Sequence, residues 1–249
     1  MVAMSAAAQD GEGAMTIEAR HIAVHHPGDE REPVVVVDHA TGMMADLVEH
    51  AATRSAFAPA DRVGSGYPGL LGSAPTRYVD ALVQIALPLI AAHFGTGPVR
   101  PVRARGNFSL VTADPAALAP DQRVPHVDTA DRWQFACVHY LCGEAHGGTG
   151  FFRHRATGFE TIDPARLPAF DAARTAEAGR DAARQGYFPA DGDEAFAAIA
   201  ACRARPDRIV LYRAALLHSG LVTVPPPHSA DPRRGRLTGN LFLQCVATT

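Results

Sequence analysis

Two histidines and an aspartate are the residues of this chain best placed to do chemistry. His126 and Asp128 stand two apart in Pro125-His126-Val127-Asp128, and His218 lies downstream in Leu217-His218-Ser219-Gly220. Arg236-Leu237-Thr238 follows. Two imidazoles and one carboxylate can hold a ferrous ion on one face and leave the other face open. A guanidinium nearby can grip an acidic co-substrate, because its planar fork matches a carboxylate. Oxygenation is the chemistry that such a set supports.

Each motif is weak by itself. HxD pairs arise by chance in a chain with 12 histidines, and a histidine at the end of an apolar run is often a hydrogen-bonded core residue. The combination says more. If Val124–Asp128 is a strand, both side chains leave the same face. Arg236 opens the run Leu237–Val246, and a guanidinium entering a core strand needs an anionic partner. Arg233 and Arg234 are rival anchors, but their Asp-Pro-Arg-Arg-Gly turn favours solvent. No lysine can replace them, because all 23 basic residues are arginine.

The elements that must position these residues can be read from periodicity. Pro33–Asp38 reads as a buried strand and Gly42–Arg54 as a helix. Pro75–Phe94 carries apolar residues at helical spacing, with a kink expected at Pro88. From Arg103 onward the pattern changes to short strands separated by Pro, Gly and Asp turns. These are Asn107–Thr112, Val124–Asp128, Trp133–Leu141, Thr149–His154, Arg208–Arg213, Leu217–Val224 and Arg236–Val246. Ala165–Ala204 is Ala-rich and reads as a helical insertion that partly covers the pocket mouth. Helices followed by many short strands predict a mainly β fold with flanking helices, a jelly roll. The expected organisation is a leader over 1–15 and one domain over 16–249. That domain has helical support at 40–95 and a β core at 103–246, with the insertion at 165–204.

Composition narrows the function classes. The chain has 249 residues, 47% of them hydrophobic, and a formal net charge of −3. That suits one large core and gives no reason to expect nucleic acid or a membrane surface as partner. The four cysteines form no CxxC and no zinc-like spacing, which fits free thiols in a reducing cytoplasm. Gly64-x-Gly66-x-x-Gly69 matches a dinucleotide fingerprint in letters only, since Pro68 spoils the helix start and no βαβ unit surrounds it. As a loop carrying Tyr67 and Pro68, it can border the pocket instead. His21, His25 and His26 read as solvated. Arg153, His154 and Arg155 form a basic cluster from which Arg153 and Arg155 could capture an acidic group of the substrate.

The order HxD strand, Trp133–Leu141, Gly147–Phe151, His218, Arg236-Leu237-Thr238 resembles the Fe(II)/2-oxoglutarate-dependent dioxygenase superfamily. The nearest likeness is to its prolyl-hydroxylase-like branch, over roughly residues 103–246. GGTGFFRHRATGFE and the LHSG…GRLTGN ending resemble a bacterial branch, which names a chemistry and not a substrate. The resemblance implies a cupin-like double-stranded β-helix, with Fe(II), 2-oxoglutarate and O₂ as cofactor and co-substrates. It implies His126, Asp128 and His218 as metal ligands. Arg236 would pair with the distal carboxylate of 2-oxoglutarate, helped by Thr238 and Tyr140. Hydroxylation of a C–H bond in a small molecule or peptide is the implied outcome. One departure is the eighteen residues from His218 to Arg236, where about ten are usual; a longer hairpin loop accounts for it. Two other readings remain open. One is a jelly-roll metalloenzyme without 2-oxoglutarate, an isomerase or hydrolase; the other is a non-catalytic binding module.

Overall fold

The computed structural model describes residues 20–223 and 230–248. The expected leader lies outside them, as do residues 224–229 of the loop between His218 and Arg236. Eleven strands are named in chain order: β1 (His21–His25), β2 (Val34–Asp38), β3 (Phe57–Pro59), β4 (Gly69–Ser73), β5 (Val99–Val111), β6 (Gln134–Tyr140), β7 (Gly148–His154), β8 (Phe196–Arg203), β9 (Arg208–Arg213), β10 (His218–Leu221) and β11 (Arg236–Ala247). Three helices accompany them: α1 (Met44–Thr53), α2 (Thr76–His93) and α3 (Leu167–Ala183). The strands form two antiparallel sheets. The larger has the order β1-β2-β9-β6-β11-β5-β4-β3, and the smaller β10-β7-β8. From β5 to β11 the chain winds between the two sheets, so the fold is a double-stranded β-helix, or jelly roll.

Alternation along β11 separates the two faces of the large sheet. Leu237, Leu241, Leu243 and Cys245 join the outer core with α1 and α2, whereas Arg236, Thr238, Asn240 and Phe242 line a cavity between the sheets. Helix α2 buries Tyr78, Leu82, Ile85, Ala86, Leu89 and Ile90, one apolar stripe at 3.6-residue spacing. It continues through Pro88 as a single helix. Strand β2 is buried on both faces. Val35 and Val37 pack with the helices, and Val34 and Val36 pack inside, which is why its valines run without interruption.

The outer face also carries a buried polar relay. Tyr78 Oη lies 2.8 Å from His139 Nδ1, and His139 Nε2 lies 2.9 Å from Asp207 Oδ1. Asp207 also accepts from the backbone N–H groups of Thr41 and Gly42 and from the Thr41 hydroxyl. These bonds tie α1 and α2 to the large sheet.

Several sequence expectations need correction. The 40–95 support is not wholly helical, because β3 and β4 add an edge to the large sheet. Val124–Asp128 forms only one ladder bridge, His126 with His218; Pro125 has no N–H to donate. The 165–204 insertion is helical only at α3, and near its end it forms β8, paired with β7. Helix α3 does not cover the pocket mouth. Its Phe170 packs with Phe152 and Phe196 in the core behind the small sheet, and Glu177 meets the buried His154 ring there. Among described residues of the insertion, Tyr187 alone lines the cavity.

Candidate metal and co-substrate site

Three elements bring His126, Asp128 and His218 together. His218 opens β10, and its backbone N–H and C=O both bond to His126, which fixes the HxD segment against the small sheet. Asp128 N–H donates to Ala214 O at 2.9 Å, holding the turn that points the carboxylate inward. The ligand atoms of the three side chains lie within 4.8 Å of one another. Asp128 stands 3.9 Å from His126 Nε2 and 3.7 Å from His218 Nε2. These gaps are too long for hydrogen bonds and short enough for one ion to touch all three groups.

The electrostatics fit a metal. His218 Nδ1 lies 2.8 Å from Leu216 O. A carbonyl only accepts, so Nδ1 carries the proton and the Nε2 lone pair faces the cavity. Burial lowers the His218 pKa to about 4, which keeps the ring neutral near pH 7. Burial, then the nearby His218 ring, moves His126 the same way, although half of its side chain still opens to the cavity. Burial pushes Asp128 up to about 6, against the pull of His126. Its carboxylate receives no side-chain or backbone donor among the described residues. Two neutral imidazoles and an unsatisfied carboxylate are the donor set that a ferrous ion accepts.

The other end of the cavity is built on Arg236. This residue begins β11 and is 5% exposed. Its Nε donates to His146 O at 3.1 Å and its Nη2 to Gly148 O at 2.7 Å. No carboxylate pairs with it among the described residues. Thr238 follows on the same face, and Tyr67 reaches in from the loop before β4. The rival anchors are elsewhere: Arg233 pairs with Glu49 on α1, and Arg234 is exposed.

The remaining expected residues do not reach the cavity wall. Tyr140 is fully buried, and its hydroxyl meets Thr149 Oγ1 at 2.6 Å. Its ring lies under the Arg236 guanidinium, 5.9 Å from Cζ, so it supports that side chain from below. Arg153 pairs with Glu160 and Asp29, and Arg155 donates to Asp193 O. A basic cluster reads the same in sequence whether or not distant acids neutralise it. Sequence reasoning passed over Arg105, Asn107 and Asn240, which do line the cavity. The signal was the period-two alternation Arg105-x-Asn107-x-Ser109, which puts all three on one strand face.

A model of a family of unknown function, DUF6445, matches residues 18–243. The chain belongs to DUF6445. No curated protein matches it. Among solved structures, this DUF6445 member is similar to SnoN, a non-heme alpha ketoglutarate dependent epimerase from nogalamycin biosynthesis. The two are 15% identical, with a TM-score of 0.46 over 86% of this chain and 78% of that one. It is also similar to an N-substituted L-amino acid dioxygenase from Burkholderia ambifaria AMMD. There the identity is 12% and the TM-score 0.35, over 88% and 87% of the two chains. No helix among the described residues is long and apolar enough to cross a membrane.

Proposed function

We propose that this chain is a non-haem Fe(II)/2-oxoglutarate-dependent oxygenase that hydroxylates a C–H bond of a small molecule or peptide. One observation carries the reading. A buried guanidinium with no acid partner among the described residues shares a cavity with a His-Asp-His cluster that has open ligand atoms. His126, Asp128 and His218 would hold the iron, and Arg236 and Thr238 the distal carboxylate of 2-oxoglutarate. When bound, the iron and 2-oxoglutarate supply the oxidising power that, with O₂, inserts oxygen into a C–H bond and releases succinate and CO₂.

The protein's own groups do the positioning. Leu216 O holds the His218 ring in the tautomer that offers Nε2 inward. His146 O and Gly148 O fix the plane of Arg236 and leave other N–H groups for an anion. Ala136, Val138, Phe242 and Tyr212 give the same cavity part of its apolar wall. The cavity measures ≈ 1140 Å³, at or above the ~300–1,000 Å³ of small-molecule pockets. That leaves room for a substrate beside the co-substrate.

Anaerobic Fe(II) titration in the presence of 2-oxoglutarate tests the reading. The expected result is one iron per chain and a weak visible charge-transfer band that needs both partners. Iron binding without that band, and without succinate release in air, would favour the metalloenzyme reading that lacks 2-oxoglutarate.

A further inference from the structure

Three tyrosines crowd the Arg236 end of the cavity, and they differ in what their hydroxyls touch. The Tyr140 hydroxyl is engaged by Thr149. Tyr187 donates to Ala113 O at 2.9 Å. The Tyr67 hydroxyl is buried beside Arg236 and Thr238, the two side chains near enough to bond it, yet neither meets it at full hydrogen-bond geometry. Among the described residues it is the only buried hydroxyl in that state. A buried hydroxyl without a partner is costly, and a ligand that brings an acceptor removes the cost. The neighbours specify which acceptor. A guanidinium and two hydroxyls all offer protons, so the ligand group must be an acceptor and carry negative charge. Burial raises the Tyr67 phenol above its ordinary range, so it stays a donor.

The loop that carries Tyr67 is held at several points. Tyr67 N–H donates to Ser65 Oγ at 3.2 Å, and Gly69 N–H to Tyr67 O at 2.9 Å. Gln122 Nε2 donates to Gly66 O at 3.0 Å. At Gly69 any side chain would strike β5, because a Cβ there would lie 2.1 Å from Leu110 O. The ring is therefore delivered to the cavity by a fixed turn.

We propose that Tyr67 is a positioning residue for the co-substrate, its hydroxyl donating to the same distal carboxylate that Arg236 grips. This rests on the reading of the site as one for 2-oxoglutarate. It also means that the pocket is completed by a segment outside the β core. The carboxylate meets two strand residues, Arg236 and Thr238, and one loop residue that arrives from before β4.

Tyr67→Phe tests the proposal, because it deletes only the unpartnered atom. In the absence of ligand the variant should melt at the same temperature as the wild type or higher. With Fe(II) present and O₂ excluded, its 2-oxoglutarate dissociation constant should rise about tenfold or more, with Fe(II) affinity unchanged. The probe 2-oxobutyrate, which lacks the distal carboxylate, should bind both proteins equally. Equal 2-oxoglutarate affinity in variant and wild type would overturn the role of Tyr67 and leave the co-substrate reading intact. A variant that melts lower without ligand, or that loses 2-oxobutyrate binding as well, would make the hydroxyl structural and overturn it too. If the wild type itself binds no 2-oxoglutarate, the proposed function fails first and this inference with it.

Discussion

Two histidine–aspartate clusters lie on opposite sides of the large sheet, one on its outer face and one across the cavity at the small sheet, built from the same residue types and tuned in opposite directions. On the outer face, His139 and Asp207 are saturated by Tyr78, Thr41 and Gly42. Burial would raise the Asp207 pKa, but the bonds from His139, Thr41 and Gly42 overcome it and hold the group at about 2. On the cavity side, Asp128 has no such donors among the described residues, and burial pushes it up to about 6. Hydrogen bonds to a carboxylate lower its pKa and desolvation raises it. An aspartate on a cavity wall whose pKa goes up is one that the protein itself has not satisfied. The outer cluster is finished as a piece of structure, whereas the inner one leaves ligand atoms unpaired among the described residues, as the proposed metal site requires.

The most severe way to break the comparison is to remove an inner ligand. Asp128→Ala or His218→Ala should reduce iron from one per chain to near zero by elemental analysis, while the melting temperature without metal stays level or rises. Retention of full iron would remove the inner cluster from the proposal. Next in size is Arg236→Ala. Loss of a charge-assisted pair on the order of 1.5–3 kcal/mol should weaken 2-oxoglutarate ten- to a hundred-fold, with iron affinity barely changed. Arg236→Lys should recover part of that loss, since an ammonium cannot make the fork.

The outer cluster should respond in the opposite sense. Asp207→Ala orphans His139 and two backbone N–H groups, and should cost about 3 kcal/mol of stability with no change in iron content. Calorimetry beside elemental analysis reads both. The smallest effect is a pH dependence. An unfolded aspartate titrates near ~3.9, above the folded value of about 2. The unfolded state therefore takes up the proton first. Asp207's contribution is full above about pH 4 and is lost as pH falls toward 2. Asp207→Asn should flatten the wild-type stability curve over that window. An unchanged slope would mean that Asp207 does not carry it.

The sequence made the inner cluster more legible than the pocket around it. His126, Asp128, His218 and Arg236 were readable because spacing and strand periodicity are local properties, and β11 begins at Arg236 as expected. Tyr140 illustrates the limit. The family resemblance implied it as a co-substrate ligand, but only the three-dimensional approach of Thr149 shows that its hydroxyl is already engaged. Arg153 failed for the same reason, because only the folded chain shows that Glu160, seven residues on, and the distant Asp29 both close on its guanidinium. The strands β3 and β4 were missed because three and five residues rich in Gly, Ala and Pro carry too little periodicity. The outer relay left no sequence signal, since Tyr78, His139 and Asp207 meet only through folding.

Gly239 ties the two faces together. It sits in β11 between Thr238 and Asn240, and a Cβ at that position would lie 1.8 Å from the Tyr78 hydroxyl. That makes positions 78 and 239 a mutually constrained pair. Alanine at 239 is intolerable while tyrosine occupies 78, and becomes less so when the hydroxyl is removed. In a combinatorial library of the two sites, survivors should carry either glycine at 239 or a residue smaller than phenylalanine at 78, because the ring carbon Cζ would also lie 2.7 Å from a Cβ there, and rarely change 239 alone. The strand that presents Thr238 and Asn240 to the cavity thus owes its freedom to vary to a helix on the far side of the sheet.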